Sequence, residues 1–442
     1  MNLFKDLISI DIKKDMGIYN LTDEFFCLYL NEISQKEKRN ILVVVNSIYE
    51  ANKLYDSLSN YANNVFLFPM DDFLTSEALA TSPDLKLTRL DTLNRIISSD
   101  NNIIITNLMG YLRYLPTEDI YKSSILNLKV GDTINPKVLV EKLSNLGYNR
   151  DTLVTKTGEY GVRGFIIDVY PIDEEKPIRI EFFDDEIESL RTFNPDTQQS
   201  TDKLDNISIK PFFEFITDKE VEEIHFGKQK YLPNYIKVSN ISNYLDNPIV
   251  FFKDYEGLKL SYSSIIEETL TYREEKDKDF KSNYMFSFNE IIPDTSIYYY
   301  PLNNLDIKNN NMIDFNIKTI NNFNEDKDNI NKFINENIKN NKTVIICLKK
   351  YQIRSILKYL NMKLIETTFD KIKLNQVNII ENELNSGFIY KDIVVLSAHE
   401  LFRINEKKNK YHTKFKYATT IGDINKLNIG DYVVHNIHGI GV

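Results

Sequence analysis

Ile41-Leu-Val-Val-Val45 is a short apolar run, rich in β-branched residues, that predicts a strand buried on both faces. Apolar residues at helical spacing follow at once over Ile48–Leu58. A second strand is predicted over Val65–Phe68, and Ser82-Pro83 then begins a helix, with serine at the N-cap and proline at the first helical position. A third strand is predicted over Ile103–Thr106. Strands that alternate with crossover helices predict a parallel α/β domain.

Outward from this domain, the pattern changes near Leu115. Asn135-Pro136 predicts a short helix that ends at Gly147. Closely spaced strands, separated by turn residues, are predicted after it over Thr152–Thr157, Arg163–Tyr170, Pro177–Phe183 and Ile187–Phe193. We therefore predict a small β-rich inserted domain over residues 115–210.

After the insertion, mixed helix and strand patterning returns. Residues 1–114 and 211–305 are predicted to form the two parts of one α/β domain, and residues 312–403 a second, smaller α/β domain. An Asn-rich stretch, Leu302–Asn311, predicts a linker between them, and residues 404–426 predict another. Residues 427–442 are expected to begin a further domain. The predicted fold class is thus multidomain α/β with a β-rich insertion.

The composition restricts the kinds of partner that are expected. The chain has 442 residues, 54 of them basic and 64 acidic, and its net charge of −10 argues against a phosphate-binding surface over the whole chain. A local basic groove stays possible. Cys27 and Cys347 each lie in an apolar stretch without metal or redox spacing, so we expect buried thiols in a reducing cytosol. No apolar run approaches the roughly 20 residues that span a bilayer.

The motifs of nucleotide, metal and acid–base sites are missing or weak. No Gly-x-x-x-x-Gly-Lys-Ser/Thr occurs, and the nearest stretch, Gly17–Thr22, has one glycine and no lysine. His435 and His438 have no cysteine nearby, and a turn or packing role is expected for them. The acidic residues between Glu181 and Glu186 suit either a metal or acid–base pair or, as we favour, a solvated hairpin turn. We expect this chain to have no catalytic residue, no cofactor and no metal.

The strand Ile178-Arg-Ile-Glu-Phe-Phe183 carries the most specific information about function. Period-two alternation puts its apolar side chains on one face, namely Ile178, Ile180 and Phe182. The other face then carries Arg179, Glu181 and Phe183, joined by Arg163 and Phe165 if the preceding loop turns near Glu174. An aromatic residue beside an arginine is typical of a protein–protein hot spot. The alternative is that Phe183 packs under another element and Arg179 pairs with a carboxylate, and the residues alone leave both open.

Several stretches resemble one family. Gly158-Glu-Tyr-Gly-Val-Arg-Gly-Phe-Ile-Ile-Asp-Val-Tyr-Pro171 is similar to the signature that UvrB and transcription-repair coupling factors share in their inserted domain, and Ile178–Phe193 resembles its continuation. Phe68-Pro-Met-Asp-Asp72 and Asn385-Ser-Gly-Phe388 resemble the first and third domains of the coupling factors. Gly430–Gly441 resembles the opening of their RNA polymerase-interacting domain, which UvrB lacks. The chain departs from the family pattern at Ala398-His-Glu400.

The resemblance implies a UvrB-like α/β domain with a degenerate phosphate loop and an inserted domain that binds UvrA. The family's binding residues fall on Arg163, Arg179 and Phe183. Residues 427–442 would begin the domain that binds RNA polymerase. The intact protein would be an ATP-dependent DNA translocase that displaces stalled RNA polymerase and recruits UvrA for nucleotide excision repair in the cytoplasm. DNA, ATP and Mg²⁺ would be bound by motor domains that this chain lacks.

Two other interpretations stay open. One is that the chain is a UvrB-type ATPase and damage-loading helicase subunit, for which the missing Lys-Ser/Thr pair is the discriminating feature. The other is a module that restrains the motor of the intact protein. The second is compatible with UvrA recruitment, whereas the first is a different class of function.

Overall fold

The computed structural model describes residues 12–13, 15–78, 82–217, 219, 221–293, 295–301, 311–358, 360, 362–369, 371–402, 433–435 and 439–441. The chain divides into two compact units, Met1–Asn405 and Glu406–Val442. Both predicted linkers, over 302–311 and 404–426, lie almost entirely outside the described residues, as does His438.

The first part of the chain contains the three strands and two helices that were predicted, together with further elements. Its helices begin at polar caps: Thr22 Oγ1 accepts a hydrogen bond from the Phe25 N–H at 3.3 Å, and Ser47 Oγ accepts one from Glu50 at 3.2 Å. The elements are β1 (Met16–Tyr19), α1 (Asp23–Glu37), β2 (Ile41–Val45), α2 (Ile48–Leu58), β3 (Val65–Phe68), α3 (Phe73–Ala78), α4 (Pro83–Ile96), β4 (Ile103–Asn107) and α5 (Leu108–Leu112).

The insertion is built mainly of short strands, with one helix packed on them and a shorter helix near its start. Its elements are β5 (Leu115–Pro116), α6 (Glu118–Ser123), β6 (Leu126–Lys129), α7 (Pro136–Asn145), β7 (Asn149–Arg150), β8 (Glu159–Arg163), β9 (Ile166–Val169), β10 (Ile178–Phe183), β11 (Glu186–Phe193), β12 (Ser200–Leu204) and β13 (Asn206–Ile209). Strands β7 to β12 form one sheet in the order β12-β11-β10-β9-β8-β7, and β6 pairs with β13. Leu139 and Leu143 of α7 share a core with Ile178 and Ile180 of β10.

The chain then returns to the first sheet. Three 3₁₀ helices lie along this return, over Gln229–Asn234, Ile241–Tyr244 and Phe288–Ile291. The other elements are β14 (Val238–Ser239), β15 (Ile249–Lys253), α8 (Tyr255–Lys276), β16 (Ser296–Tyr300) and β17 (Met312–Asp314).

The first sheet has seven parallel strands in the order β17-β1-β16-β15-β2-β4-β3. Ile41 of β2 pairs with Ile103 of β4 on one side and with Ile249 of β15 on the other. Strands from before and after the insertion therefore share one sheet. The predicted α/β class with a β-rich insertion is confirmed.

Both faces of this sheet are buried, as its apolar strands predict. Val43 and Phe251 belong to a core on one face, and Val44 and Phe252 to a core on the other. Cys27 and Cys347 are free and buried, as predicted. Of the helices in the described part of the chain, none has the length and apolar character needed to cross a membrane.

A second α/β sheet follows in the same compact unit. Its elements are β18 (Lys318–Thr319), α9 (Lys327–Lys339), β19 (Thr343–Leu348), α10 (Lys350–Ile356), β20 (Leu364–Thr367), β21 (Val377–Glu381), β22 (Phe388–Tyr390), β23 (Ile393–Leu396) and α11 (Ala398–Leu401). The strand order is β18-β22-β23-β19-β21-β20, with β23, β19, β21 and β20 parallel. The predicted smaller α/β fold is confirmed. Phe25 of α1 packs edge-on against Phe388 and Tyr390, with ring centroids 5.4 and 4.9 Å apart.

The described residues of the second unit form a short hairpin of β24 (Val433–His435) and β25 (Gly439–Gly441).

Two of the predicted strands are wrong. Residues 152–157 are irregular, because the Glu159 carboxylate accepts the backbone N–H groups of Thr155 and Lys156 at 2.9 and 2.8 Å in place of a strand partner. The stretch predicted as one strand over Arg163–Tyr170 contains a turn: Gly164 has φ +61° and separates β8 from β9. The first hairpin of the inserted sheet therefore turns at Gly164-Phe165.

A buried ionic cluster ties the end of the insertion to the first α/β domain. Glu214, just beyond β13, accepts hydrogen bonds from Arg89 Nε at 2.6 Å and Arg113 Nε at 2.8 Å, and Arg89 also donates to the Pro69 carbonyl. The side chains of Arg89 and Glu214 are 2 and 3% exposed. Burial by itself raises the pKa of the Glu214 carboxyl, but the charges of Arg113 and Arg89 outweigh it and hold the pKa at about 2. Glu214 is thus ionised at neutral pH.

Candidate partner-binding face

The outer face of the inserted sheet carries the residues singled out in the sequence. Antiparallel pairing sets Gly161, Asp168, Arg179 and Arg191 in one row across β8, β9, β10 and β11. Along β10, Ile178, Ile180 and Phe182 are buried while Arg179 and Glu181 are half-buried and Phe183 is exposed. The predicted division of this strand into an apolar and a polar face is therefore what the structure shows.

Asp168 brings the two candidate arginines together. Its carboxylate is 2% exposed and accepts hydrogen bonds from Arg179 Nε at 2.8 Å and Arg179 Nη2 at 3.0 Å. Arg163 Nη2 donates to the same carboxylate. A single buried acid between two guanidinium groups leaves this cluster of three residues with one uncompensated positive charge.

The two arginines differ in accessibility. The side chain of Arg163 is 46% exposed, whereas that of Arg179 is 13% exposed. Arg179 also lies over the Phe193 ring at 4.7 Å and donates to the Gln198 carbonyl at 3.2 Å. Its hydrogen bonds to Asp168 raise the pKa of Arg179. Arg179 is therefore held by the sheet, while Arg163 is open to a partner.

Phe183 lies at the end of the same strand and is 70% exposed. The ladder shifts register between Glu181 and Phe182, and Asp184, with φ +53°, turns the chain into β11. Phe165 is 63% exposed, and its carbonyl accepts the Phe182 N–H at 2.9 Å, which places the Gly164-Phe165 turn beside this end of β10. Two exposed aromatic residues, Phe165 and Phe183, therefore lie at this end of the sheet. Of the two open alternatives, Arg179 does pair with a carboxylate, but Phe183 does not pack under another described element.

Asp168 was missed in the sequence as a residue of this face. The signal was present, because period-two alternation in Ile-Ile-Asp-Val169 sets Asp168 opposite the apolar Ile167 and Val169. The partner of the Asp168 carboxylate could not be predicted from the sequence, because it depends on the register between β9 and β10.

The acidic stretch that follows Phe183 forms a hairpin turn, as favoured. The Asp185 carboxylate accepts a hydrogen bond from Asn135 Nδ2 at 3.0 Å, and its carbonyl accepts the Ile134 N–H at 2.8 Å. The Glu181 carboxylate lies 3.7 Å from the Arg191 guanidinium on the neighbouring strand. The carboxylates of Asp185 and Glu181 therefore have partners within the inserted domain.

The stretch resembling a degenerate phosphate loop has a different local structure from a phosphate cradle. Gly17 lies inside β1, and a Cβ there would meet the Met312 sulfur. The Asp23 carboxylate occupies the first turn of α1, 3.0 Å from both Lys53 Nζ and Lys253 Nζ. Burial raises the pKa of Asp23, but the two lysines outweigh this effect and lower it. The cations at this helix N-terminus are therefore already paired with a protein carboxylate.

Comparison with known proteins agrees with this architecture. A family model described as UvrB interaction domain matches residues 126–215. The chain is 26% identical to a transcription-repair-coupling factor of Staphylococcus epidermidis strain ATCC 35984, over 100% of this chain and 43% of that protein. It is 27% identical to that of Bacillus subtilis strain 168, over 97% of this chain and 42% of that protein. The chain thus spans less than half the length of these relatives.

The fold and the match define the class of architecture: a parallel α/β domain with a β-rich insertion that is similar to the UvrB interaction domain, followed by a second α/β sheet. Over its whole length the chain is homologous to transcription-repair-coupling factors.

Proposed function

We propose that this chain recruits UvrA through the outer face of its inserted domain. The observation that carries the proposal is the exposed Phe183 beside two arginines that share the buried Asp168 carboxylate. Aromatic and arginine side chains are the residues that dominate binding energy at protein interfaces. The match of residues 126–215 to the UvrB interaction domain supports the same assignment.

The geometry suggests separate roles for the three residues. Phe183 and Arg163 are accessible enough to contact UvrA directly. Arg179 is mostly buried and acts as a positioning residue, since it fixes the Asp168 carboxylate that Arg163 also uses. A preformed pair of this kind reduces the side-chain ordering that binding requires.

In the intact protein, this recruitment would link a stalled RNA polymerase to nucleotide excision repair in the cytoplasm. The ATP-driven translocation on DNA and the displacement of RNA polymerase would come from other domains. We propose no catalytic residue, no cofactor and no metal for this chain. For nucleotide cofactors, support comes from the N-terminus of α1, where Asp23 already pairs with Lys53 and Lys253.

Truncating either arginine is expected to weaken UvrA binding by about 2 kcal/mol, roughly 30-fold. Arg163→Ala removes a direct contact, and Arg179→Ala releases the Asp168 carboxylate. Isothermal titration of the full chain with UvrA measures both. Arg150→Ala is the matched control, because Arg150 is an exposed arginine on β7 of the same sheet.

If the wild type, Arg163→Ala and Arg179→Ala bound UvrA with equal affinity, this face would be ruled out as the binding site. A melting temperature measured beside each titration separates lost binding from lost folding, which matters most for the partly buried Arg179.

The competing function, a UvrB-type ATPase, predicts nucleotide binding by this chain. We expect no saturable heat when ATP and Mg²⁺ are titrated into it, because no lysine-bearing phosphate loop is present and the cations near α1 are paired with Asp23. Saturable binding with a micromolar dissociation constant would favour the ATPase instead.

A further inference from the structure

Six lysines gather at the amino edge of the second sheet, where its parallel strands begin. Lys342 directly precedes β19, Lys363 directly precedes β20, Lys373 lies four residues before β21, and Lys391 lies two residues before β23. Thr343 pairs with Ile393, and Val377 lies between Val344 and Leu364, so these strand starts are neighbours. Two further lysines, at the ends of helices α9 and α10, complete what we name the lysine edge: Lys339, Lys342, Lys358, Lys363, Lys373 and Lys391.

The charges of the lysine edge are available to a ligand. Five of the six lysines are exposed, and Lys342 is half-buried. Among the described residues, no carboxylate lies within ion-pairing distance of any of the six. Asp392 is an acidic residue at this edge, and its backbone carbonyl accepts the Thr343 N–H at 2.8 Å. The edge is therefore strongly cationic on a chain whose net charge is −10.

A lysine-rich composition does not by itself explain this distribution. Apart from Asp392, acidic residues of the same domain lie at the opposite edge: Glu381 ends β21 and Glu383 follows it, where Glu383 pairs with Lys349 at 2.7 Å. Compensation of helix dipoles accounts for lysines at the ends of α9 and α10. It does not account for the four lysines in the turns.

The turns that carry these lysines are fixed in place. The buried Asn378 amide accepts the Lys373 N–H at 2.9 Å and donates to the Lys373 carbonyl at 2.8 Å. The Asn375 N–H donates to Thr343 Oγ1 at 3.0 Å. Asn341, Asn375 and Lys391 adopt φ values of +58°, +54° and +50°, which make tight entries into the strands. The positive charges thus project from a preorganised edge.

We propose that the lysine edge binds the phosphate backbone of duplex nucleic acid without sequence preference. Four neighbouring strands spaced by about 4.8 Å set the turn lysines along roughly 14 Å. That length covers about four nucleotides of one strand at 3.4 Å each. Asn341 and Asn375 supply amide donors of the kind that also contact phosphates. A row of lysines without an arginine among them is unlike a protein–protein hot spot, where lysine is depleted.

The test is fluorescence anisotropy of a labelled 20-base-pair duplex titrated with the full chain between 50 and 200 mM KCl. The patch variant replaces the four turn lysines with glutamine: Lys342, Lys363, Lys373 and Lys391. The control variant makes the same change at four exposed lysines of the inserted domain: Lys129, Lys137, Lys142 and Lys203. Both variants lose four positive charges, so long-range electrostatic effects are matched.

We expect the wild type to bind at 50 mM KCl with an affinity that falls steeply with salt. The patch variant should bind at least tenfold more weakly, and the slope of log K against log salt should be smaller by about 3. The control variant should stay within about threefold of the wild type. Equal losses in both variants, or no wild-type binding at 50 mM KCl, would overturn the proposal. So would binding of poly-glutamate in place of the duplex, because that result assigns the edge to an acidic protein.

Discussion

Replacing Glu214 with alanine is expected to lower the free energy of unfolding by about 3–5 kcal/mol. Arg89 and Arg113 would lose the carboxylate that neutralises them, and the 2%-exposed Arg89 side chain cannot reach water without disrupting its surroundings. Urea denaturation, monitored by hydrogen exchange at the backbone amides of β3 and β4, measures the loss of stability in this part of the chain. Glu223→Ala, at an exposed glutamate of the same connecting segment, should cost less than about 0.5 kcal/mol.

The pH dependence gives an independent check on Glu214. Because its folded pKa of about 2 lies below the value near 4.3 expected in the unfolded chain, its contribution is fully present above about pH 4.3 and is lost as the pH falls towards 2. The shift corresponds to about 3 kcal/mol. The stability difference between wild type and Glu214→Gln should therefore shrink on acidification. A difference that stays constant from pH 6 to pH 3 would contradict the proposed ionisation.

Phe183→Ala is expected to weaken UvrA binding by at least about 2 kcal/mol, or some 30-fold, without changing the stability of the chain. The ring is 70% exposed, so its truncation leaves no cavity in the core. In a complex with UvrA, the same ring would be buried next to Arg163, and the burial of its apolar area would contribute to the binding energy. Isothermal titration with UvrA measures the affinity, and thermal melting measures the stability.

The matched control for Phe183 is Tyr49→Ala. Tyr49 is 66% exposed on α2 of the first α/β domain and lies outside the inserted sheet. It should leave UvrA binding unchanged. If both substitutions, or neither, weakened binding, the effect could not be assigned to the end of β10.

Local patterns predicted β2, β3, β4 and the division of β10 into two faces. β2 was evident because an apolar, β-branched run is typical of a strand buried on both sides, and β10 because its side chains alternate. β1 was missed because its glycine suggested a loop. The 22-residue helix α8 was missed because Leu258 and Thr269 are its two buried residues, too few for an apolar stripe.

Contacts between distant residues were beyond sequence reasoning. Arg89 and Arg113 lie 125 and 101 positions from Glu214, and no local pattern connects them. The pairing of Arg163 and Arg179 through Asp168 likewise depends on the β9–β10 register and on the turn at Gly164. The role of a polar residue depends on its partners in the tertiary structure, which sequence does not reveal. Apolar periodicity can be recognised from residues that are close together in the sequence.

The position of the insertion between β4 and β15 has a consequence for synthesis on the ribosome. Ile41 and its neighbour Ile249 are 208 positions apart, so the centre of the first sheet stays open until β15 has been made. The inserted sheet, with its own core, is complete in sequence by Ile209. If it folds first, it brings the two ends of its own segment together and shortens the loop that must close, whose entropic cost grows with the logarithm of length. The inserted domain would then act as a folding aid for the domain that carries it.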